Sequence, residues 1–327
     1  MTAPMPITHL SRPRDVNEAI VARRAQPGSQ FIAGGTDLLV NMRRGIKMPE
    51  TLIDLTGIDE MATIEINDGS TRIGAGVAIA NLAHHSLIAT RYRAVSQAAE
   101  QIAGPGHRAI GTVGGNLCLD TRCIYYNQSE WWRSANKYCL KHRGDICHVA
   151  PQGQHCHAAF TGDLAPAFLV LGAEVEIANA SGRRRIPLGD LYAEDGRAHL
   201  RLAEDDLVVA VHLPSGRARS AYAKVRVRGA IDYPLAGVAV ALAAVDGTVT
   251  SLHIALTGTN SRPFVLAGTD AIVGRPIDER TLQEIDRLVQ KQAQPMRTTV
   301  TSAHYRRLAA AGLARRLTAA LFAESKI

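Results

Sequence analysis

Apolar positions recur with helical spacing over residues 15–25, and Gln30–Ile32 follows as a short strand. Residues 36–44 again carry helical spacing, with Gly45 as a stop, and residues 51–56 alternate as a strand does. The first 57 residues therefore predict a small α/β unit. Over residues 63–77 two strand-like runs flank Asn67-Asp68-Gly69, a hairpin signal. Helices are expected over residues 80–92 and 94–103, a short buried helix over 163–171, and strands over Glu174–Asn179 and 206–214. Residues 58–217 thus predict an α+β unit. A third unit, residues 218–327, predicts strands over 222–228, 237–245 and 248–256, the last two joined by Asp246-Gly247. Helices over 278–292 and 301–325 close it. In the last helix Leu313, Leu317 and Leu321 form one apolar stripe with arginines opposite, which predicts core packing.

Residues 120–160 break the pattern. They show neither period over a useful length and are dense in Cys, His, Tyr, Trp and Asn. A structureless stretch this long inside a compact unit is unusual. Its Tyr125-Tyr126, Trp131-Trp132 and four cysteines are poor material for disorder, so something other than an apolar core is expected to order it.

Composition sharpens that reading. All five cysteines of the 327 residues, Cys118, Cys123, Cys139, Cys147 and Cys156, fall within one short stretch. Disulfides suit small secreted domains, whereas clustered cysteines in a cytosolic chain favour a metal or cluster site. A cytoplasmic location is expected, because residues 1–10 lack a basic start leading into an apolar run. The longest apolar stretch, residues 235–245, is about half the ~20 residues a membrane helix needs. Lys and Arg exceed Asp and Glu by 37 − 30 = 7, but the basic residues are scattered and only 5% of residues are aromatic. Nucleic acid is not an expected partner.

Two glycine pairs carry the binding chemistry. Ala33-Gly34-Gly35-Thr36-Asp37 stands where a strand turns into a helix, and paired glycines let backbone amides converge on an anion such as a diphosphate. The spacing is neither G-x-G-x-x-G nor a Walker loop, so the usual dinucleotide and P-loop readings fail. Gly111-Thr112-Val113-Gly114-Gly115-Asn116 repeats the theme in the next unit, which suggests a dinucleotide clamped between the two turns. No G-x-S-x-G elbow, H-E-x-x-H helix or paired-carboxylate motif stands out, so no catalytic residue is assigned.

These two blocks, with Gly162-Asp163-Leu164-Ala165-Pro166 and Tyr222-Ala223-Lys224, resemble the FAD-binding subunit of the xanthine-oxidase family of molybdenum enzymes over nearly the whole chain. The resemblance implies an α+β fold of the molybdenum-hydroxylase flavoprotein type. FAD would lie between a small α/β unit and a larger α+β unit, beside a C-terminal sheet-and-helix domain. It implies that Ile32, Ala33, Gly34, Gly35, Thr36, Asp37 and Leu38 line the diphosphate and that Thr112, Gly115 and Asn116 form a second clamp. Asp163 would bond a polar part of the cofactor, Lys224 would lie near the flavin ring, and Ile102 and Val208 would pack on the cofactor. A cation near the flavin stabilises its anionic reduced form.

The long insertion departs from the ordinary family pattern. Cys123, Cys139, Cys147 and Cys156 are separated by 15, 7 and 8 residues. Four thiolates suit zinc or an iron–sulfur cluster, and the close Cys pairs usual for structural zinc are absent. The spacing favours a cluster, while a mixed Cys/His zinc site using His142, His148, His155 or His157 stays open. Cys118 is expected to be a small buried residue. Arg122, Arg133, Lys137, Lys141 and Arg143 outweigh Asp120, Glu130 and Asp145 in the insertion, and such cations would raise a cluster's potential.

The branch of the family that this insertion resembles dehydroxylates 4-hydroxybenzoyl-CoA to benzoyl-CoA and holds a 4Fe-4S cluster there. The implied partners are a large molybdenum-cofactor subunit, a small subunit with two 2Fe-2S clusters, and ferredoxin as donor, in a dimer of heterotrimers. Two alternatives stand beside it. One is a flavin subunit of an oxidative molybdenum hydroxylase whose insertion binds structural zinc or docks a partner. The other is a basic, zinc-stabilised binding protein without flavin.

Overall fold

The computed structural model describes residues 8–67, 69–215 and 218–325. Strands β1 (His9–Ser11), β2 (Gln30–Ile32) and β3 (Thr51–Asp54) form a parallel sheet in the order β1-β3-β2. Helix α1 (Val16–Ala25) is the crossover, and its cap is Asp15, whose carboxylate accepts the Glu18 amide at 2.8 Å. Helix α2 (Leu38–Arg43) leaves β2 through the first glycine pair and ends at Gly45, which has φ +65°.

The second sheet has the order β4-β5-β8-β6-β7, all antiparallel. Its strands are β4 (Ile64–Ile66), β5 (Ser70–Gly74), β6 (Glu174–Asn179), β7 (Gly182–Pro187) and β8 (Leu207–Pro214). The expected turn between β4 and β5 includes Asp68, which lies outside the described residues. The edge strand β7 carries Arg183, Arg184 and Arg185 (a run read in the sequence as scattered charge). Arg184 binds Asp206 at 2.6 Å and Arg183 binds Glu176 at 2.9 Å.

Short helices lie between β5 and the insertion: α3 (Ile79–His84), α4 (Ser86–Arg91), α5 (Arg93–Gln101), α6 (Pro105–Ile110) and α7 (Val113–Leu117). The single helix expected over residues 80–92 is split at His85, whose backbone is extended. The Ser96 hydroxyl donates to the Ala83 carbonyl at 2.8 Å, taking the acceptor that a continuous helix would offer to Leu87. Within the insertion the one regular helix among the described residues is α8 (Glu130–Ala135). Helix α9 (Leu164–Leu169) follows and is almost wholly buried.

The third sheet, β12-β11-β10-β9, comprises β9 (Arg219–Val225), β10 (Ala236–Val245), β11 (Thr248–Thr257) and β12 (Phe264–Val265). Strand β10 is buried on both faces. Val238, Val240 and Leu242 face helices α10 (Glu279–Gln292) and α11 (Ala303–Glu324), while Ala239 and Ala241 join the core of the first two sheets. The stripe on α11 packs inward as expected, with Leu313 and Leu321 buried and Leu317 partly so. No described helix is long and apolar enough to cross a membrane.

Candidate functional site

A cavity of about 610 Å³ opens between the parallel sheet and the second sheet. Its lining includes Ile32, Ala33, Gly34, Gly35, Thr36, Asp37 and Leu38 from the first glycine turn, and Thr112, Gly115 and Asn116 from the second. Ile102, Asp163 and Val208 also line it. All the residues singled out for the cofactor thus meet at one cavity, except Lys224.

The two turns touch. A Cβ on Gly34 would stand 1.9 Å from the Ile110 carbonyl oxygen, so the backbones pack directly and only glycine fits. Gly35 has φ +67°, a conformation glycine adopts without strain. Among the described residues, the amides of Gly34, Gly35 and Thr36 have no protein acceptor, which leaves them for a ligand.

The second turn differs from the sequence expectation. It forms the start of α7, and its amides are largely committed. Val113 donates to Val77 O at 3.0 Å, Gly114 to Ala75 O at 2.7 Å, and Gly115 to the Thr112 side chain at 3.1 Å. Asn116 Oδ1 accepts the Leu164 amide at 3.0 Å and so fixes α9 to α7. The first turn therefore offers backbone donors, and the second mainly shape.

Lys224 sits one layer behind the lining. Its ammonium lies 3.0 Å from Asp163 Oδ1 with none of its side chain exposed, and Tyr222 donates its hydroxyl to Asp163 at 2.6 Å. Burial pushes the Asp163 carboxyl up from its usual range, against the opposing pull of Lys224 and Tyr222.

Sequence reading missed several lining residues. Arg23 is buried, donates to Glu204 O and to Ser29, and lies 5.9 Å from the Phe31 ring. Arg44 and Lys47 add positive charge to the wall. Arg122 pairs with Asp37 and stacks 4.7 Å from the Tyr233 ring. Its position at the mouth of the insertion was the available signal. His199 Nε2 donates to the Leu119 carbonyl oxygen at 3.0 Å, and burial lowers its pKa to about 4.

The insertion is ordered by polar ties. Arg122 and Ala159 pair as a β-bridge at its base, and the Ile124 amide donates to Thr298 O at 2.9 Å. Arg133 is buried and reaches Gln128 O, Arg44 O and Gly45 O, which fastens the segment to the end of α2. Cys123, Cys139, Cys147 and Cys156 are all buried, and all four line one small cavity with Tyr125, Tyr126 and Lys141.

His148 also lines that cavity, but its Nε2 is engaged with Tyr138 O. His142, His155 and His157 do not line it, and neither does Cys118, which lies on the larger cavity instead. Burial and the neighbouring thiols push Cys123 up to about 11, and burial pushes Cys156 up to about 12, while Lys141 pulls Cys156 the other way. Among the described residues no three His, Cys, Asp or Glu side chains are arranged to hold a single metal ion. The donor set at the small cavity is four thiols, a set that suits either zinc or an iron–sulfur cluster.

Comparison with known proteins follows the same lines. Residues 6–216 match the FAD binding domain in molybdopterin dehydrogenase, and residues 220–321 match the CO dehydrogenase flavoprotein C-terminal domain. The aldehyde oxidoreductase FAD-binding subunit PaoB of Escherichia coli is 35% identical over 265 residues, 78% of this chain and 82% of that one. The carbon monoxide dehydrogenase medium chain of Hydrogenophaga pseudoflava is 27% identical over 279 residues, 83% of this chain and 82% of that one. A solved carbon monoxide dehydrogenase structure from Hydrogenophaga pseudoflava superposes with a TM-score of 0.81 at 22% identity, covering 98% and 99% of the two chains. Quinoline 2-oxidoreductase from Pseudomonas putida 86 superposes at 0.79 and 20% identity over the whole of both chains. With its open glycine-turn amides facing a cavity of matching fold, the chain belongs to the FAD-binding subunits of the xanthine-oxidase family of molybdenum hydroxylases.

Proposed function

We propose that this chain is an electron-relay subunit that holds FAD in the larger cavity and a 4Fe-4S cluster in the smaller one. The observation that carries the proposal is the meeting of Cys123, Cys139, Cys147 and Cys156 at one buried cavity, next to the flavin cavity and separated from it by Asp120 and Lys141. Packing with Ile46, Tyr126 and Ala158 accounts for the placing of Cys123 and Cys156, but gives Cys139 and Cys147 no reason to join them. A cluster supplies one.

Gly34, Gly35 and Thr36 would hold the diphosphate through their amides, with Arg44 and Lys47 balancing its charge. Ile102 and Val208 would pack on the apolar part of the cofactor, and Asp163 would meet a polar edge. Lys224 would act through Asp163, keeping that carboxylate paired and oriented. Bound FAD supplies both one- and two-electron chemistry, which suits a junction between single-electron centres and a two-electron reaction. Substrate chemistry belongs to a separate molybdenum-cofactor chain, linked by a small 2Fe-2S chain.

Two readings of the overall reaction differ in direction. The cysteine-bearing insertion supports reductive dehydroxylation of 4-hydroxybenzoyl-CoA with reduced ferredoxin as donor. The 35% identity to an aldehyde oxidoreductase subunit favours oxidation of an aldehyde instead. Assaying the purified complex separates them. Aldehyde-dependent reduction of an artificial acceptor supports the oxidative reading, and acyl-CoA turnover driven by a low-potential donor supports the reductive one. The relay itself is tested by the visible spectrum of this chain purified anaerobically apart from the 2Fe-2S chain. Flavin bands on broad iron–sulfur absorption are expected, and flavin bands alone would remove the cluster.

A further inference from the structure

Asp120 and Lys141 form the wall between the two cavities. Asp120 lines the larger cavity, and Lys141 and Tyr126 line the smaller one. Lys141 Nζ lies 2.7 Å from Asp120 Oδ1 and 3.2 Å from Thr121 O, and 4.4 Å from the Tyr126 ring centroid. The Tyr126 hydroxyl donates to Asp120 Oδ2 at 3.1 Å. The Lys141 side chain is only 4% exposed, so water does little to screen its charge.

The arrangement is polarised. A loop pinned for structural reasons gains little from a buried ion pair, because removing two charges from water costs about as much as their attraction returns. Here the cation faces the four thiols and the anion faces the flavin cavity. An ammonium beside a thiolate-bound centre lowers the energy of whichever redox state carries the extra negative charge. A carboxylate beside a flavin raises the energy of its anionic reduced form. Both charges therefore act in one direction, holding the electron on the cysteine side.

We infer that the Asp120–Lys141 pair sets the difference in potential between the cysteine-bound cluster and the flavin, with Lys141 as a positioning residue for charge and Tyr126 fixing the carboxylate. The inference rests on the cluster reading given above. No bond is made or broken in this role. The one electron that moves is the one exchanged between the two centres, supplied or removed by the redox partners of the complex.

The test is a potentiometric titration of the intact anaerobic complex, followed by EPR for the cluster and by absorbance for the flavin. Lys141→Gln should lower the cluster's midpoint enough to change the one-electron equilibrium with flavin at least tenfold, or about 59 mV. Lys141→Arg should stay near the wild type. Asp120→Asn should move the cluster's midpoint the opposite way, upward, because Lys141 is then no longer neutralised, and should raise the flavin's as well.

A Lys141→Gln protein that keeps its iron and sulfide with an unmoved midpoint overturns the inference while leaving the cluster reading intact. So does a shift of the same sign in both variants. If Lys141→Gln cannot hold the cluster, the sign of the Asp120→Asn shift decides alone. Wild-type complex with no acid-labile sulfide beyond that of its 2Fe-2S chain would defeat the cluster reading itself, and this inference with it.

Discussion

Gly34 lies so close to Ile110 that a methyl group on it would stand 1.9 Å from the Ile110 carbonyl oxygen. The contact joins the turn after β2 to the end of α6, so the two sides of the larger cavity are fixed to each other through backbone. Gly34→Ala must push them apart. We expect a loss of about 1–3 kcal/mol in stability, as for other overpacked sites, and purified protein depleted of flavin. Gly106→Ala is the control. Nothing lies within 4 Å of a Cβ there, and the site is helical, so flavin content should hold. Stability should rise by up to about 1 kcal/mol. Flavin-to-protein ratio and a urea melt read both outcomes.

The buried Asp163–Lys224 pair makes a second prediction. Lys224→Met leaves a buried carboxylate with Tyr222 as its remaining side-chain partner, and should cost about 3–5 kcal/mol. Adding Asp163→Asn should recover part of that loss, because no unpaired charge then remains. A double variant as unstable as the single one would show that Lys224 matters through packing and not through charge.

Much of the fold follows from short-range patterns. The α1, α10 and α11 helices carry caps, with Asp15, Asp278 and Ser302 each accepting an amide of the first turn, and α10 a clear helical period as well. Strand β10 reads as a continuous apolar run because both of its faces are covered. What escaped was decided by distant contacts. The break at His85 depends on Ser96 from another helix. Strand β7 is polar because it is an edge, and β1 and β12 are too short to show a period.

The site shows the same division. Gly34 and Gly35 announce a close backbone approach in the sequence, but the committed amides of the second turn depend on Ala75 and Val77 far upstream. Lys224 was expected near the flavin, and its sequence position gives no hint that Asp163 stands in front of it. The four cysteines signal a shared site by their clustering. That Lys141 and, of the four rival histidines, His148 but not His142, His155 or His157 join them at the cavity is a matter of three-dimensional arrangement.

His199 supplies a pH dependence. In the unfolded chain it takes a proton near pH 6.5, but in the folded protein only near pH 4, because burial disfavours the charged ring. Its contribution is therefore complete above pH 6.5 and is lost as the pH falls from there toward 4. The loss is at most roughly 3 kcal/mol. His199→Gln should flatten that part of the stability curve, as measured by urea melts between pH 4 and about 7. An unchanged slope would place the acid sensitivity elsewhere.

The four converging thiols are the centre of this account, and chemical analysis reaches them most directly. Protein purified without oxygen should contain about four iron and four acid-labile sulfide per chain, beyond any held by partner chains. Replacing Cys139 and Cys147 by Ser should remove them while FAD stays bound. Protein with bound FAD but no labile sulfide, or with zinc in its place, would contradict the account.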